Sequence, residues 1–354
     1  MNTRPIGLGV GRSTETRDWI RLAPPVLAAI YPFLLDLFHW LIPEARVAPL
    51  TAIVAAVGTL IAAFAVSAAA YAFAVRFQEP QPPSTYELRT RRVAYLSIVA
   101  PTLFVFVGVV GGLVHSPIPD KLTWLVIWGL VALWASLGTK SLPTEATRPG
   151  PIVRLRVAHG IVATVATMYV LFHIGNHLFG LSGPQVHAAV MKWGRHVYRA
   201  PVIEPLLVCL MLFQVISGLR LAWRWSAISS DAIRVFQIAS GVYLSLFILG
   251  HMNSVFIYAR ASLQIDTGWD FATGAPIGLI YDAWNIRLVP HYALGVFFVL
   301  GHLVSGLRVV LLGHGVNRSI VDTLWKGGLV ISALIAAAIL CGMCGLRLHL
   351  GTQV

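Results

Sequence analysis

The sequence predicts an all-α protein, a polytopic bundle of about nine transmembrane helices with a cytoplasmic N-terminus. The chain is 57% hydrophobic and only 11% charged, whereas soluble domains carry about 25% charged residues. Its apolar runs also reach the roughly 20 residues that an α-helix needs to cross a bilayer. The predicted spans are 22–42, 50–75, 93–115, 122–138, 157–181, 201–223, 235–258, 289–311 and 326–346.

The basic residues predict how these spans are oriented. Of the 26 Lys and Arg residues, 18 fall on the side of the N-terminus and 8 on the other side when the spans alternate in direction. Basic loops are retained in the cytoplasm, so we expect the N-terminus inside and the C-terminus outside. No cleavable signal is predicted, because the first apolar run begins late and is too long for a signal peptide.

The net charge indicates which partners the protein could bind, and the positions of the cysteines indicate a structural role. A net charge of +12 suits a surface that meets anionic lipid headgroups or an acidic protein. The positive charge is spread over many short loops, which argues against nucleic acid as a partner. All three cysteines fall within predicted spans, and we interpret the pair Cys341 and Cys344 as helix packing.

Two polar, proline-containing loops, 76–92 and 139–156, are predicted boundaries. The second divides the chain into an N-terminal segment, 1–150, with four spans and a C-terminal segment, 151–354, with five. Ten of the 12 histidines belong to the C-terminal segment. Residues 91–112 share a pattern with 155–176, which fits either a degenerate repeat that became a scaffold or a chance similarity between apolar helices.

Histidines in two C-terminal spans indicate a shared site. His173 and His251 each lie about 17 residues into an outward-running helix, so at 1.5 Å per residue both reach the same depth near the predicted outer surface. Two facing histidines at one depth can supply the axial ligands of a b-type haem. For either histidine alone, a hydrogen bond across a helix interface is the alternative. Gly175 and Gly250 would let a flat ring approach the backbone.

Further residues are candidates for the same or a neighbouring site. His177 follows one turn after His173, so it is either the ligand itself or a hydrogen-bond partner of a haem propionate or a quinone. His291 falls at the outer level, and His302 lies about 11 residues further along the same face, nearer the cytoplasm. Glu204 opens the helix after the outer loop, where a carboxylate either stabilises the helix start or exchanges protons with a quinol.

The remaining C-terminal histidines are predicted to lie outside the site. His187, His196, His314 and His349 fall in loops or tails, where we expect them to be solvated. His159 lies beside two arginines at the cytoplasmic end of its span and is interpreted as an interfacial residue. The polar segment from Arg260 to Leu288 is predicted to cap the outer mouth of the bundle.

Four stretches of the C-terminal segment carry a family pattern: "HIGNHLFGLSGPQVHAAVMKW", "EPLLVCLMLFQVISGLRLAWRW", "FQIASGVYLSLFILGHM" and "GHLVSGLR". Through them, residues 154–345 resemble the five-helix cytochrome b membrane anchor of the succinate dehydrogenase and fumarate reductase family. The resemblance covers a little over half of the chain, and the four N-terminal helices lie outside it.

The resemblance implies that His173 and His251 ligate an outer haem b and that His302 is half of an inner pair. The other half should stand at position 214, but the frame that "QVISGLR" shares with "HLVSGLR" has Gln214 there. Glutamine is a poor haem ligand compared with imidazole. We therefore expect one haem b, with the second absent, five-coordinate through His302 or ligated from elsewhere.

The resemblance also implies a function shared with partners. Such a subunit anchors a flavoprotein and an iron–sulfur protein on the cytoplasmic face of a bacterial inner membrane, and it exchanges electrons with menaquinone or ubiquinone in a respiratory chain. With three cysteines and no Rossmann glycine pattern, the chain itself offers no site for an iron–sulfur cluster or a flavin. We expect a membrane anchor of a succinate:quinone oxidoreductase-type complex, with His177 and Glu204 as quinone-site candidates.

The sequence is also compatible with two other functions. The first is a cytochrome b that serves another dehydrogenase or acts as a stand-alone electron carrier. The second is a haem-free scaffold or transporter whose outer histidines, His173, His177, His251 and His291, bind Zn²⁺ or Cu²⁺. The few acidic residues inside the spans argue against a proton-driven carrier.

Overall fold

The computed structural model describes residues 19–42, 49–79, 83–138 and 152–348, which fold into helices joined by turns and one longer segment. The α-helices are α1 (Ala23–Leu41), α2 (Leu50–Arg76), α3 (Thr85–Ser97), α4 (Ala100–Leu113), α5 (Asp120–Ser136), α6 (Val153–Leu178), α7 (Pro184–Tyr198), α8 (Ile203–Trp225), α9 (Ala232–Met252), α10 (Trp269–Thr273), α11 (Leu288–Gly313) and α12 (Arg318–Met343). A π-helical segment, Asn253–Leu263, continues α9. Most of the predicted boundary loop 139–156 lies outside the described residues.

Seven helical segments in this part of the chain are long and apolar enough to cross a membrane, or eight if the bent pair α3–α4 forms one span. The predicted helical, multi-pass character is confirmed, but the candidate spans number seven or eight rather than nine. The predicted span 122–138 corresponds to α5, which has 17 residues. At 1.5 Å per residue such a helix is about 26 Å long, shorter than the roughly 30 Å of a bilayer core.

The predicted span 93–115 is broken instead of continuous. α3 and α4 meet at an angle of 70°, and Pro101 stands in the first turn of α4. Proline lacks the N–H that would bond to the preceding turn, and its ring clashes with the carbonyl group there, so one helix cannot run through this point. α3 begins with a capping box between Ser84 and Glu87, so part of the predicted loop 76–92 is helical.

α9 packs against both parts of the chain. Its neighbours are α2, α3 and α4 from the N-terminal segment and α8 and α11 from the C-terminal one. Aromatic side chains hold it in place: the ring centroids of Tyr243 and Phe298 are 4.6 Å apart, and those of Phe236 and Trp325 are 5.7 Å apart. Buried aromatic rings contribute large apolar areas to a core. This packing fixes the helix that carries His251.

Arg91 of α3 joins the two segments at the ends of their helices. Its side chain is fully buried. Nε donates a hydrogen bond to the carbonyl oxygen of Phe77 at 2.9 Å, and Nη2 donates to that of Gln78 at 2.8 Å, just after α2. Nη1 donates to the carbonyl oxygen of Ser226 at 3.1 Å, just after α8. Carbonyl groups at a helix C-terminus carry partial negative charge, which favours a buried cation between them.

We expect Arg91→Leu to lower the free energy of unfolding by about 3 kcal/mol, because buried carbonyl groups lose a charged donor. Arg89→Leu is the matched control, since Arg89 lies on the same helix and bonds to a single backbone carbonyl oxygen, that of Trp134, at 3.2 Å. Thermal unfolding of both purified variants in one detergent measures the difference. Equal loss of stability in the two variants would contradict the role given to Arg91.

Candidate functional site in the histidine cavity

A cavity of about 920 Å³ lies near the C-terminal ends of α6 and α9, within the size range of cofactor and ligand pockets. Its walls come from α4, α6, α7, α8, α9, α11 and α12, together with parts of the segment 263–285. The lining is mostly apolar. The histidines that line it are His173, His177, His187, His251 and His291.

His173 on α6 and His251 on α9 lie close together, with ring centroids 5.9 Å apart and an interplanar angle of 70°. Each ring stacks on an aromatic side chain one turn earlier in its own helix. Tyr169 stacks on His173 at 5.6 Å, and Phe247 stacks on His251 at 6.0 Å. Residues four positions apart share a helix face, so the helical repeat itself supports the orientation of both imidazoles.

Two more imidazoles extend the cluster on the side of α6. The Nε2 atoms of His177 and His173 are 3.4 Å apart. His187 of α7 stacks on His177 with ring centroids 5.3 Å apart. The indole of Trp269 in α10 lies 4.6 Å from the imidazole of His187. Asn176 places its Nδ2 atom 3.3 Å from Nε2 of His187.

The prediction that His187 is solvated is wrong, since its side chain is only 1% exposed. α7 starts at Pro184, which suits a first helical position, and it packs on α6. Gly194 allows this approach, because a Cβ atom there would collide with Phe172. His187 and Gly194 are spaced as i and i+7 on one helix face, a signal that the sequence contains. Burial, and then the positive charge of Arg195, lower the pKa of His187 to about 4.

The four other histidines predicted to lie outside the site are His159, His196, His314 and His349. His196 and His314 are exposed, in agreement with the prediction, while His349 lies outside the described residues. His159 is half-buried, and its Nδ1 atom is 2.7 Å from the hydroxyl oxygen of Ser217 on α8. His159 therefore links two helices, as a hydrogen-bonded histidine at a helix interface does.

His291 of α11 reaches the cavity behind Phe247. Its imidazole is buried and lies 4.7 Å from the Phe247 ring, the same ring that stacks on His251. Gly295 stands one turn further along α11, and a Cβ atom at this position would collide with the Phe247 ring. The Phe247 ring thus contacts both His251 and His291, and it needs the glycine to fit.

The separation of His173 and His251 is compatible with two ligands of one iron atom. Metal–imidazole bonds are about 2 Å long, so two rings that share a metal ion have centres roughly 6 Å apart. Iron at Nε2 of His173 would require the ring of His177 to turn away, because its own Nε2 atom lies 3.4 Å from that nitrogen. A Cβ atom at Gly250 would make only an ordinary van der Waals contact with Phe106 of α4, and one at Gly175 would meet no atom within 4 Å.

The described part of the chain contains no metal site with three or more protein ligands. No group of three His, Cys, Asp or Glu side chains in these residues is arranged to hold a metal ion. The geometry therefore offers no support for the Zn²⁺ or Cu²⁺ alternative with several ligands. A haem needs only two axial side chains.

His302 and Gln214 contact different neighbours at the other end of the bundle. Nδ1 of His302 lies 2.9 Å from the hydroxyl oxygen of Ser240 on α9. Gln214 donates a hydrogen bond from Nε2 to the carbonyl oxygen of His159 on α6, at 3.0 Å. The glutamine that replaces the expected histidine thus ties α8 to α6 through a structural hydrogen bond.

Glu204 lies in the first turn of α8 and forms a bidentate pair with Arg260 at the cavity wall. The two oxygen–nitrogen distances are 2.6 Å and 3.2 Å, a geometry that strengthens a charged hydrogen bond. Arg195 and Arg199 approach Asp266 at 2.9 Å and 3.7 Å. These contacts hold the segment predicted as a cap against α7 and the helix wall.

Compared with known proteins, the chain matches no family model, no curated sequence and no solved structure. Fold alone does not determine function. The function is therefore argued from the chemistry and geometry of the histidine cavity.

We expect Gly295→Ala to lower the free energy of unfolding by about 1–3 kcal/mol, because the added methyl group displaces the Phe247 ring and forces its neighbours to shift. Gly306→Ala on the same helix is the control, since a Cβ atom at 306 meets no atom within 4 Å. Thermal unfolding of both variants gives the comparison. Equal effects at the two positions would show that Phe247 can move freely.

Proposed function

We propose that this chain is the haem b-binding, quinone-reactive membrane anchor of a succinate:quinone oxidoreductase-type complex, with His173 and His251 as the axial ligands. One observation carries the proposal: these two imidazoles lie 5.9 Å apart on different helices at the wall of a 920 Å³ cavity. The motifs in residues 154–345 favour this class of complex over other cytochromes b.

In this proposal His173 and His251 hold the haem, which supplies reversible one-electron transfer when it is bound. Tyr169 and Phe247 orient the two imidazoles by stacking on them. The mostly apolar walls of the cavity exclude water from the ligand nitrogens. Exclusion of water and a low dielectric are among the means by which a protein tunes a haem.

The quinone is proposed to bind in the same cavity, whose apolar lining suits a lipid-soluble ring. Glu204 and His177 both line this cavity and are the candidate groups for proton exchange. A carboxylate or a neutral imidazole can accept a proton from a hydroquinone hydroxyl group. Arg260 keeps Glu204 paired at the cavity wall, so proton exchange at Glu204 would compete with that pair.

The opposite end of the bundle is proposed to meet the flavoprotein and iron–sulfur partners. Its exposed cations favour an acidic protein surface or anionic lipid headgroups; they are Arg154, Arg156, Arg220, Arg318 and Lys326. The orientation expected from the basic loops would place this end in the cytoplasm of a bacterial cell. Co-purification of both partners with the chain would separate this proposal from a cytochrome b of another dehydrogenase.

We expect about one haem b per chain and no low-spin b-type absorbance in His251→Ala, because removal of one axial imidazole leaves the iron without its second ligand. The variant should still be recovered from the membrane fraction. Pyridine haemochrome absorbance per protein, together with reduced-minus-oxidised spectra, measures both effects. His314→Ala, at an exposed histidine, is the control. An unchanged spectrum in His251→Ala would refute the ligand assignment.

We expect Gln214→His to leave the haem content unchanged. The side chain at 214 lies against α6, where Gln214 bonds to the backbone of His159, while His302 is engaged with Ser240 on α9. The substitution removes the bond to His159 and should cost roughly 1 kcal/mol of stability. The haem-to-protein ratio of the purified variant tests this expectation. A second haem per chain would show that positions 214 and 302 can share an iron atom.

A further inference from the structure

Among the described residues, five buried polar atoms around the cavity lack a hydrogen-bond partner: Asn176 Oδ1, His177 Nδ1, His187 Nδ1, Arg195 Nε and His291 Nδ1. All five residues line the same cavity. Buried polar atoms in native proteins nearly always have a partner, and an unmade hydrogen bond costs about 1–3 kcal/mol. Their concentration at one place offers a ligand in the cavity several polar groups to contact.

With the Asn176 amide oriented as in this structure, its contact sets which nitrogen of His187 carries the proton. An amide nitrogen can only donate, and Nδ2 of Asn176 lies 3.3 Å from Nε2 of His187. Nε2 therefore accepts, and in the neutral ring the hydrogen belongs to Nδ1. His187 thus presents a buried N–H donor that no acceptor in the described part of the chain meets.

Three helices hold this donor in place. His187 belongs to α7, it stacks on His177 of α6, and it contacts Trp269 of α10. Gly180 allows Trp269 to come this close, because a Cβ atom at 180 would collide with the indole ring. A donor whose ring is fixed before the ligand arrives loses little entropy on binding.

We propose that the Nδ1–H group of His187 donates a hydrogen bond to a carbonyl oxygen of a quinone in the cavity, which makes His187 a substrate-binding residue distinct from the iron ligands. The identity of the ligand rests on the proposed function. A quinone carbonyl accepts hydrogen bonds and has no hydrogen to donate, so it complements this donor. Its ring and tail complement the apolar walls.

A haem propionate is the competing acceptor for the same N–H group. If a propionate accepts this hydrogen bond, loss of His187 should lower the haem content. If a quinone carbonyl accepts it, loss of His187 should lower only the affinity for quinone. The two occupants are therefore separated by measuring haem content and quinone binding on the same variant.

The principal test is His187→Ala in the full-length chain, purified with any bound partners and placed in lipid nanodiscs. The probes are a short-chain benzoquinone and a short-chain naphthoquinone with ¹³C-labelled carbonyl groups. We expect roughly tenfold weaker binding in tryptophan fluorescence titrations, as the loss of one hydrogen bond implies. The infrared carbonyl frequency of bound quinone should rise towards its unbonded value, and the haem content should equal that of the wild type. His196→Ala, at an exposed histidine of the same helix, should change neither quantity.

Asn176→Asp tests the position of the proton on His187 while the imidazole is retained. It also replaces His187→Ala as the test if that variant does not fold. In a neutral ring a carboxylate accepts from Nε2–H, which moves the hydrogen away from Nδ1. Quinone affinity measured at alkaline pH, where the imidazole is neutral, should therefore fall by a similar factor. Unchanged affinity and an unchanged carbonyl frequency in both variants would overturn the inference. Loss of haem in His187→Ala would also overturn it, in favour of the propionate.

The inference and the proposed function fail in different ways. A wild-type protein that holds no haem but binds quinone through His187 would refute the haem assignment and leave the inference intact. A wild-type protein that holds haem at His173 and His251 and binds quinone with an affinity that neither His187→Ala nor Asn176→Asp changes would overturn the inference alone.

Discussion

The buried guanidinium of Arg91 is the contact on which the arrangement of the helices depends. A buried cation is tolerated only where other groups compensate its lost hydration, and Arg91 finds carbonyl oxygens after α2 and after α8. The ends of these two helices must therefore stay together. α9 packs against both of them and carries His251 into the cavity. The N-terminal helices thus contribute to the site by position, although their sequence contains almost no histidine.

Within the cavity, local helical repeats and tertiary contacts have separate roles. The i, i+4 spacing stacks Tyr169 on His173 and Phe247 on His251, so each helix supplies an imidazole with its own aromatic support. Tertiary packing then brings the ring centroids of His173 and His251 to within 5.9 Å of each other and adds His187 from α7. A site assembled in this way combines two rigid helices with one short helix that closes the side, and it fits the preorganisation that a redox or quinone site requires.

Several features were predictable because they depend on local chemistry. Long apolar runs predict spanning helices, and the depth of His173 and His251 follows from their distance along two such runs. The break at Pro101 was also readable, since a proline in the middle of an apolar run interrupts the helix, but hydropathy alone merged α3 and α4 into one span. His187 was missed because α7 is much less apolar than the spanning helices, although its amphipathic pattern and the i, i+7 spacing of His187 and Gly194 indicate a buried face.

Composition and the order of apolar segments by themselves determined the membrane class, the helical bundle and the positions of the intramembrane histidines, because the cost of an unpaired backbone in lipid leaves few alternatives to the helix. The sequence could not determine the partners of these side chains. Gln214 bonds to His159, His302 to Ser240 and Glu204 to Arg260, and each pair joins residues more than fifty positions apart. Such pairs depend on how helices pack and rotate against one another, which is decided by the shapes of side chains on all of them at once.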